Sequence, residues 1–285
     1  MQITTVTGAE IQLGEHNYKT VSSQTQNDCQ TASTQTVIGC KLASTQTPKK
    51  SPTGLRIIRK VKTDNECYTV CHYKGYTYVG QRGGAIDRID QHGQVTKAFV
   101  KLDNNVNSLA ACKDRLHILI YQGENPSTVF VHNLNNEQLI KFWNHPYFYY
   151  TGQRITLIGN NQLAVGDWPS KQIIIYSLTG DVIRKVPCPS SLKMTGFVCM
   201  SSCGDDSVVI SDRAAGKVVR MSLKDGSLLW SSDRVTNPGG IVHHPAGYVL
   251  VVSRRVYNTT ISVLNENNGR LTVNSLISLY SPLLY

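Results

Sequence analysis

Two spaced cysteine pairs, Cys67-x-x-x-Cys71 and Cys199-x-x-x-Cys203, are the first residues of this chain whose types and spacing could do chemistry. Four thiolates can hold a zinc ion. Residues four apart on a strand share a face, but they lie roughly 13 Å from one another at the usual rise per residue. That is too far to share an ion unless a turn intervenes. Free cysteine also behaves as a small apolar residue, so buried structural thiols are the expectation. His243-His244 is the one local cluster of histidines. Strand neighbours face opposite sides, so at most one of the two can reach a central channel. The Gly-x-Ser-x-Gly elbow, the phosphate-cradling loop and the dinucleotide fingerprint are absent. Asp205-Asp206 falls in an expected hairpin turn, where Asp serves turn geometry. We expect no enzyme, no bound metal and no cofactor.

A second group of residues suits binding. Five loops follow five similar apolar runs: Gln81-Arg82-Gly83-Gly84, Gln122-Gly123-Glu124-Asn125-Pro126, Asp167-Trp168-Pro169-Ser170-Lys171, Asp212-Arg213-Ala214-Ala215-Gly216-Lys217 and Arg254-Arg255-Val256-Tyr257. The candidate contacts are Arg82, Tyr121, Trp168, Lys171, Arg213, Lys217, Arg254, Arg255 and Tyr257. Cations offset phosphate charge, and unstacked bases lie on aromatic rings. The planar fork of Arg equally suits acidic or phosphorylated peptides. The expected partner is a protein or a single-stranded RNA.

The elements that must position these loops repeat along the chain. The runs Tyr76–Gly80, Leu116–Tyr121, Gln162–Gly166, Ser207–Ser211 and Val249–Ser253 end 41, 45, 45 and 42 residues apart. That is the period of a four-stranded propeller blade. A second apolar run follows each, and most of these end in a turn such as Thr179-Gly180, Asp225-Gly226 or Asn268-Gly269. Asp-Gly and Asn-Gly predict type I′ hairpins. Another strand precedes each run, across turns such as His244-Pro245-Ala246-Gly247. One small sheet cannot cover both its apolar faces, so blades stack around an axis. The fold class expected is all-β, a β-propeller of five to six four-stranded blades.

Residues 1–52 differ. Ala32-Ser33-Thr34-Gln35-Thr36 recurs as Ala43-Ser44-Thr45-Gln46-Thr47, and Pro48-Lys49-Lys50-Ser51-Pro52 follows. Such polar composition buries too little apolar surface to offset ordering entropy, so 1–52 is expected to be a largely disordered tail and linker, with the propeller spanning 53–285. Gly54–Val61 is expected to close the ring as an outer strand on the last blade, or Gln2–Val6 and Ala9–Leu13 to help fill a sixth. The hydrophobic share of 40% supports a packed core. The net charge of +10, from 29 Lys and Arg against 19 Asp and Glu, favours acidic partners. A polar N-terminus and the lack of a ~20-residue apolar stretch predict no membrane segment and a cytoplasmic location, with the nucleus as alternative. The eight cysteines are then expected to be reduced.

The stretch Asn237-Pro238-Gly239-Gly240-Ile241-Val242-His243-His244-Pro245-Ala246-Gly247-Tyr248-Val249-Leu250-Val251-Val252-Ser253 resembles the NHL repeat. Val165-Gly166-Asp167 and Ile210-Ser211-Asp212 match that family's strand ending, whereas Gly80-Gln81, Tyr121-Gln122 and Ser253-Arg254 depart from it. The likeness covers roughly residues 65 to 280 and looks like the C-terminal domain of tripartite-motif proteins. It implies a six-bladed propeller that recognises substrate for a ubiquitin-ligase system. The zinc-binding Cys and His pairs of RING and B-box modules do not occur before residue 53, so no ubiquitin transfer by this chain alone is expected. The competing reading is a metal-dependent propeller hydrolase or lyase with calcium or zinc on its axis.

Overall fold

Runs such as Ser207–Asp212 (SVVISD), buried at every position, form strands that lose the usual in–out alternation because both faces are covered. Runs such as Val182–Pro187 (VIRKVP), exposed at five of six positions, have one neighbour only. This gradient from covered to open strand within each sheet is what stacked blades require. In the computed structural model, residues 32–34, 40–42, 55–57, 63–122, 125–145, 154–159, 161–195, 198–254 and 259–277 are described.

Three short strands, β1 (Ala32–Thr34), β2 (Cys40–Leu42) and β3 (Leu55–Ile57), come first. Five blades follow. The first contains β4 (Cys67–Tyr73), β5 (Tyr76–Gln81), β6 (Ala85–Ile89) and β7 (Val95–Lys101). The second contains β8 (Val106–Cys112), β9 (Arg115–Gln122), β10 (Asn125–Asn133) and β11 (Leu139–His145). The third contains β12 (Ile155–Ile158), β13 (Gln162–Asp167), β14 (Gln172–Ser177) and β15 (Val182–Pro187). The fourth contains β16 (Val198–Ser202), β17 (Ser207–Asp212), β18 (Lys217–Ser222) and β19 (Leu228–Ser232). The fifth contains β20 (Pro238–His244), β21 (Tyr248–Arg254), β22 (Thr259–Asn265) and β23 (Leu271–Ile277). Each is an antiparallel meander in chain order. The expected repeat is therefore present as five four-stranded blades among the described residues.

The core consists of the layers between blades. Val106, Leu109, Leu116 and Ile118 of the second blade meet Cys71, Tyr73, Tyr78 and Ile86 of the first. Ile155, Leu163 and Ile174 meet Leu119 and Val129. Val198, Val208 and Ile210 meet Ala164, Ile173 and Ile175. Ile241, Val249 and Val251 meet Cys199, Val209 and Val218.

Neighbouring blades are also stitched by hydroxyls. The Leu109 N–H donates to Thr69 Oγ1 at 3.2 Å, and the Ile155 N–H donates to Ser108 Oγ at 3.1 Å. The Ser202 N–H donates to Thr156 Oγ1 at 3.3 Å, and the His243 N–H donates to Ser201 Oγ at 3.2 Å. Each joins the innermost strand of one blade to that of the next. Innermost strands have a free edge whose buried N–H groups need partners, and a Ser or Thr on the preceding blade supplies one at all four junctions.

At the remaining junction β1 pairs antiparallel with β4, Ser33 opposite Cys71. Its Cα atoms also come within 8 Å of those of β8, β12, β16 and β20, which places β1 in the central channel. Of the outer strand expected over Gly54–Val61 only Leu55–Ile57 is described, and it does not pair with the last blade. Leu55–Ile57 pairs instead with Cys40–Leu42 in a separate ribbon. Gln2–Val6 and Ala9–Leu13 lie outside the described residues. No helix among the described residues is long and apolar enough to cross a membrane.

The turns differ from expectation in one respect. At Asp225-Gly226 and Asn268-Gly269 only the glycine takes positive φ, +77° and +65°. A type I′ turn needs both. Two positive values occur instead at Lys74-Gly75 and Lys113-Asp114, between the first and second strands of two blades. The outer turns need only one because the third and fourth strands of every blade carry a register shift, as between Arg220 and Met221. The extra residue there supplies the bend and twist.

Candidate binding face

In a meander blade, the loop joining second to third strand emerges on the same side as the connection to the next blade. Hydrogen bonds tie these two kinds of segment together. The Gly83 N–H donates to Asn105 Oδ1 at 2.8 Å, and Lys101 Nζ donates to the Gly83 carbonyl at 2.7 Å. The Cys188 N–H donates to the Lys171 carbonyl at 2.8 Å. The loops singled out from the sequence thus share a face with the interblade connections.

Buried aspartates at the strand ends hold this face. Asp212 is fully buried; its carboxylate accepts the Ala215 N–H at 3.0 Å and the Met194 N–H at 2.8 Å. One side chain therefore fixes both its own loop and the connection into its blade. Asp167, equally buried, accepts from Gln172 Nε2 at 2.8 Å. The terminal aspartate noted in the sequence is a loop anchor here. The small residue before it also has a cause: a Cβ on Gly166 would lie 2.1 Å from Trp168 Cζ2.

That contact corrects one candidate. Trp168 is only 3% exposed and packs with Leu192, Met194 and Ile173. Its ring fills the space above Gly166 and offers no stacking surface. Trp168 is the one aromatic among the described residues of these loops and connections. Arg82, Lys171 and Arg213 are exposed, and Lys217 is half-buried where it opens β18. They come from the first, third and fourth blades. For Tyr121 and Arg254 the strand positions are described but not the side chains, and Arg255 and Tyr257 lie outside the described residues.

Sequence reasoning missed the contribution of the interblade connections. They add exposed Lys193 and Arg234, and also exposed Asp103 and Asp233, while Glu66 is exposed ahead of β4. No local pattern marks these positions, because the second kind of segment becomes part of the face only once blades close into a disc. The face is therefore of mixed charge with a basic excess.

The groups that could do chemistry are mostly sequestered. Burial pushes the Cys67 and Cys188 thiols up to about 12, and raises Cys71 and Cys199 as well. Thiols so placed are not nucleophiles at neutral pH. His117 is fully buried, and desolvation with some help from Arg115 lowers it to about 4. His243 and His244 diverge as strand neighbours should. His243 Nε2 bonds the Glu266 carboxylate, and His244 Nδ1 accepts the Ala246 N–H at 3.1 Å in the turn.

No family model matches the sequence, and no curated protein does. Solved structures do match the fold. Virginiamycin B lyase from Staphylococcus aureus, in a catalytically inactive form with quinupristin, superposes with a TM-score of 0.54 at 14% identity, covering 78% of this chain and 73% of that one. A nidogen/laminin complex gives 0.53 at 11% identity over 74% and 77%. The WD40 β-propeller domain of Doa1 gives 0.51 at 15% over 72% and 66%. This chain spans less than two thirds of the Doa1 chain and 60% of the computationally designed Ika8 protein. At these identities the likeness establishes a β-propeller and nothing finer.

Proposed function

We propose that this chain is a non-catalytic binding platform that recognises a protein partner through the face carrying Arg82, Lys171 and Arg213. The observation that carries this reading is the anchoring of that face. Asp212 holds the Arg213 loop through backbone N–H groups, the Lys171 carbonyl is tied to Cys188, and the Arg82 loop is tied to Asn105 and Lys101. Exposed cations thus stand on pre-set backbone, and pre-organised contacts lose less entropy on binding. Mixed charge favours a protein over RNA. A single strand of RNA needs cations without nearby carboxylates and aromatic faces for its bases, and Asp103, Asp233 and the burial of Trp168 work against both. The β-propeller fold commonly serves as a protein-binding platform, and a nidogen/laminin complex is among the structures it resembles.

The NHL-like fifth blade and the aspartate strand endings support a finer reading, that the chain is the substrate-recognition part of a tripartite-motif-like ligase system. The test compares the wild-type chain with an Arg82→Glu/Lys171→Glu/Arg213→Glu variant in quantitative affinity capture. Lys113→Glu, an exposed cation on the opposite face, is the control. Proteins retained by the control and lost by the triple variant support the reading. An identical captured set for all three chains refutes it. A steep salt dependence of binding to a single-stranded RNA probe, abolished in the triple variant, would give the face to RNA instead.

A further inference from the structure

Cys203, His243 and Glu266 lie 40 and 23 residues apart in sequence and meet at the junction of the fourth and fifth blades, on the side away from the binding face. Cys203 follows β16 in its turn to β17, His243 is near the end of β20, and Glu266 is in the turn from β22 to β23. One carboxylate oxygen gathers the other two groups. Glu266 Oε2 takes the hydrogen bond from His243 Nε2, and the Cys203 thiol donates to it at 3.9 Å. All three ligand atoms lie within 4.8 Å of one another. Bond lengths of about 2.0–2.3 Å to zinc put tetrahedral ligand atoms about 3.3–3.7 Å apart, so adjustments of about an ångström suffice.

The supporting shell is built from the backbone outward. The Cys203 N–H donates to the Ser207 carbonyl at 2.9 Å, and the Glu266 N–H to the Gly247 carbonyl at 3.0 Å. The Glu266 carbonyl accepts from Arg220 Nη1 at 2.9 Å and Trp230 Nε1 at 2.6 Å. The His243 N–H is held by Ser201. The backbone of each of the three residues is thereby held in place, so the three side chains start from fixed positions. Burial raises the Cys203 thiol, while the nearby Arg220 charge opposes that rise and favours the thiolate.

We propose that Cys203, His243 and Glu266 form a zinc-binding site that clasps the fourth blade to the fifth. Thiolate and carboxylate cancel the charge of the ion, and imidazole completes a soft, borderline donor set that suits Zn²⁺ over Ca²⁺ or Mg²⁺. Binding releases the Cys203 proton to solvent, shifts the proton of neutral His243 from Nε2 to Nδ1, and replaces the two hydrogen bonds at Glu266 Oε2 with bonds to the metal. The side chains of His243 and Glu266 are 17% and 25% exposed, which leaves a fourth position for water. Local motif reading could not find the site. It paired Cys203 with Cys199, four residues back, whereas its partners come from the next blade.

The test uses the full chain, freed of metal with a chelator and titrated with ZnCl₂ and CoCl₂. One equivalent of Zn²⁺ should bind with Kd at or below about 1 μM, more tightly as pH rises. Co²⁺ should show a thiolate-to-metal charge-transfer band, and Cys203→Ser should abolish it. Glu266→Gln, at a partly exposed turn where folding tolerates change, should weaken Zn²⁺ binding by more than the roughly 10-fold that loss of a mere outer-shell partner costs, with an unaltered circular dichroism spectrum. No uptake, or a Co²⁺ spectrum that Cys203→Ser and Glu266→Gln leave unchanged, would overturn the proposal and leave a hydrogen-bonded clasp without metal.

Discussion

Thr69→Val should expose how much the hydroxyl stitching between blades contributes. Thr69 is 1% exposed, and its Oγ1 accepts the N–H of Leu109, itself fully buried, at 3.2 Å. Valine keeps the shape and removes the acceptor, so the Leu109 N–H loses its partner on the neighbouring blade. An unsatisfied buried donor costs about 1–3 kcal/mol, and we take about 2 kcal/mol. With a urea m-value of about 3 kcal/mol/M, the unfolding midpoint should fall by roughly 0.7 M with no change in slope. Thr156→Val, which removes the acceptor for the half-buried Ser202 N–H two junctions further on, should cost less, about 1 kcal/mol. Being remote, the two should add to about 3 kcal/mol. Thr69→Ser keeps the hydroxyl and should lose only about 1 kcal/mol for its missing methyl. Urea unfolding followed by circular dichroism measures all four. A Thr69→Val chain within about 0.5 kcal/mol of wild type would refute the stitching argument.

Other perturbations have equally definite outcomes. Trp168→Ala should cost about 3–5 kcal/mol by chemical denaturation, as for a large core residue, while Arg213→Ala should stay within about 0.5 kcal/mol; equal small effects would return Trp168 to the surface. Gly84→Ala should destabilise more than Gly83→Ala. Both take φ near +80°, but a Cβ on Gly84 would meet the Leu102 carbonyl oxygen at 1.9 Å whereas Gly83 has open space; equal thermal shifts would contradict the difference. His117 stays neutral in the fold down to about 4, against 6.5 in the unfolded chain. The unfolded state therefore binds the extra proton first. Its contribution, about 3 kcal/mol at most, is complete above pH 6.5 and is lost as pH falls to about 4. His117→Leu should flatten the stability profile across that window, and an unchanged slope would count against a buried neutral imidazole.

The five central runs were legible because full burial on both faces forces unbroken apolar segments, and these match β5, β9, β13, β17 and β21. Other features depend on what closes around a residue. Asp225-Gly226 signals a turn, but the register shift beside it decides which turn. Trp168 reads as a loop aromatic, and only the space above Gly166 turns it inward. Leu55–Ile57 has the apolar character of an outer strand, yet its partner is β2. Of the candidate contacts, Arg82, Lys171 and Arg213 were readable as charges in equivalent loops. Lys193 and Arg234 were not, because their place on that face follows from the disc and from no local spacing.

Amide hydrogen exchange of the chain alone and with a partner captured by the binding face tests the central claim most directly. Slowed exchange at 82–84, 168–171 and 213–216, with β7, β15 and β19 unchanged, is the predicted result. Protection confined to those outer strands, with the three loops exchanging as in the free chain, would contradict it.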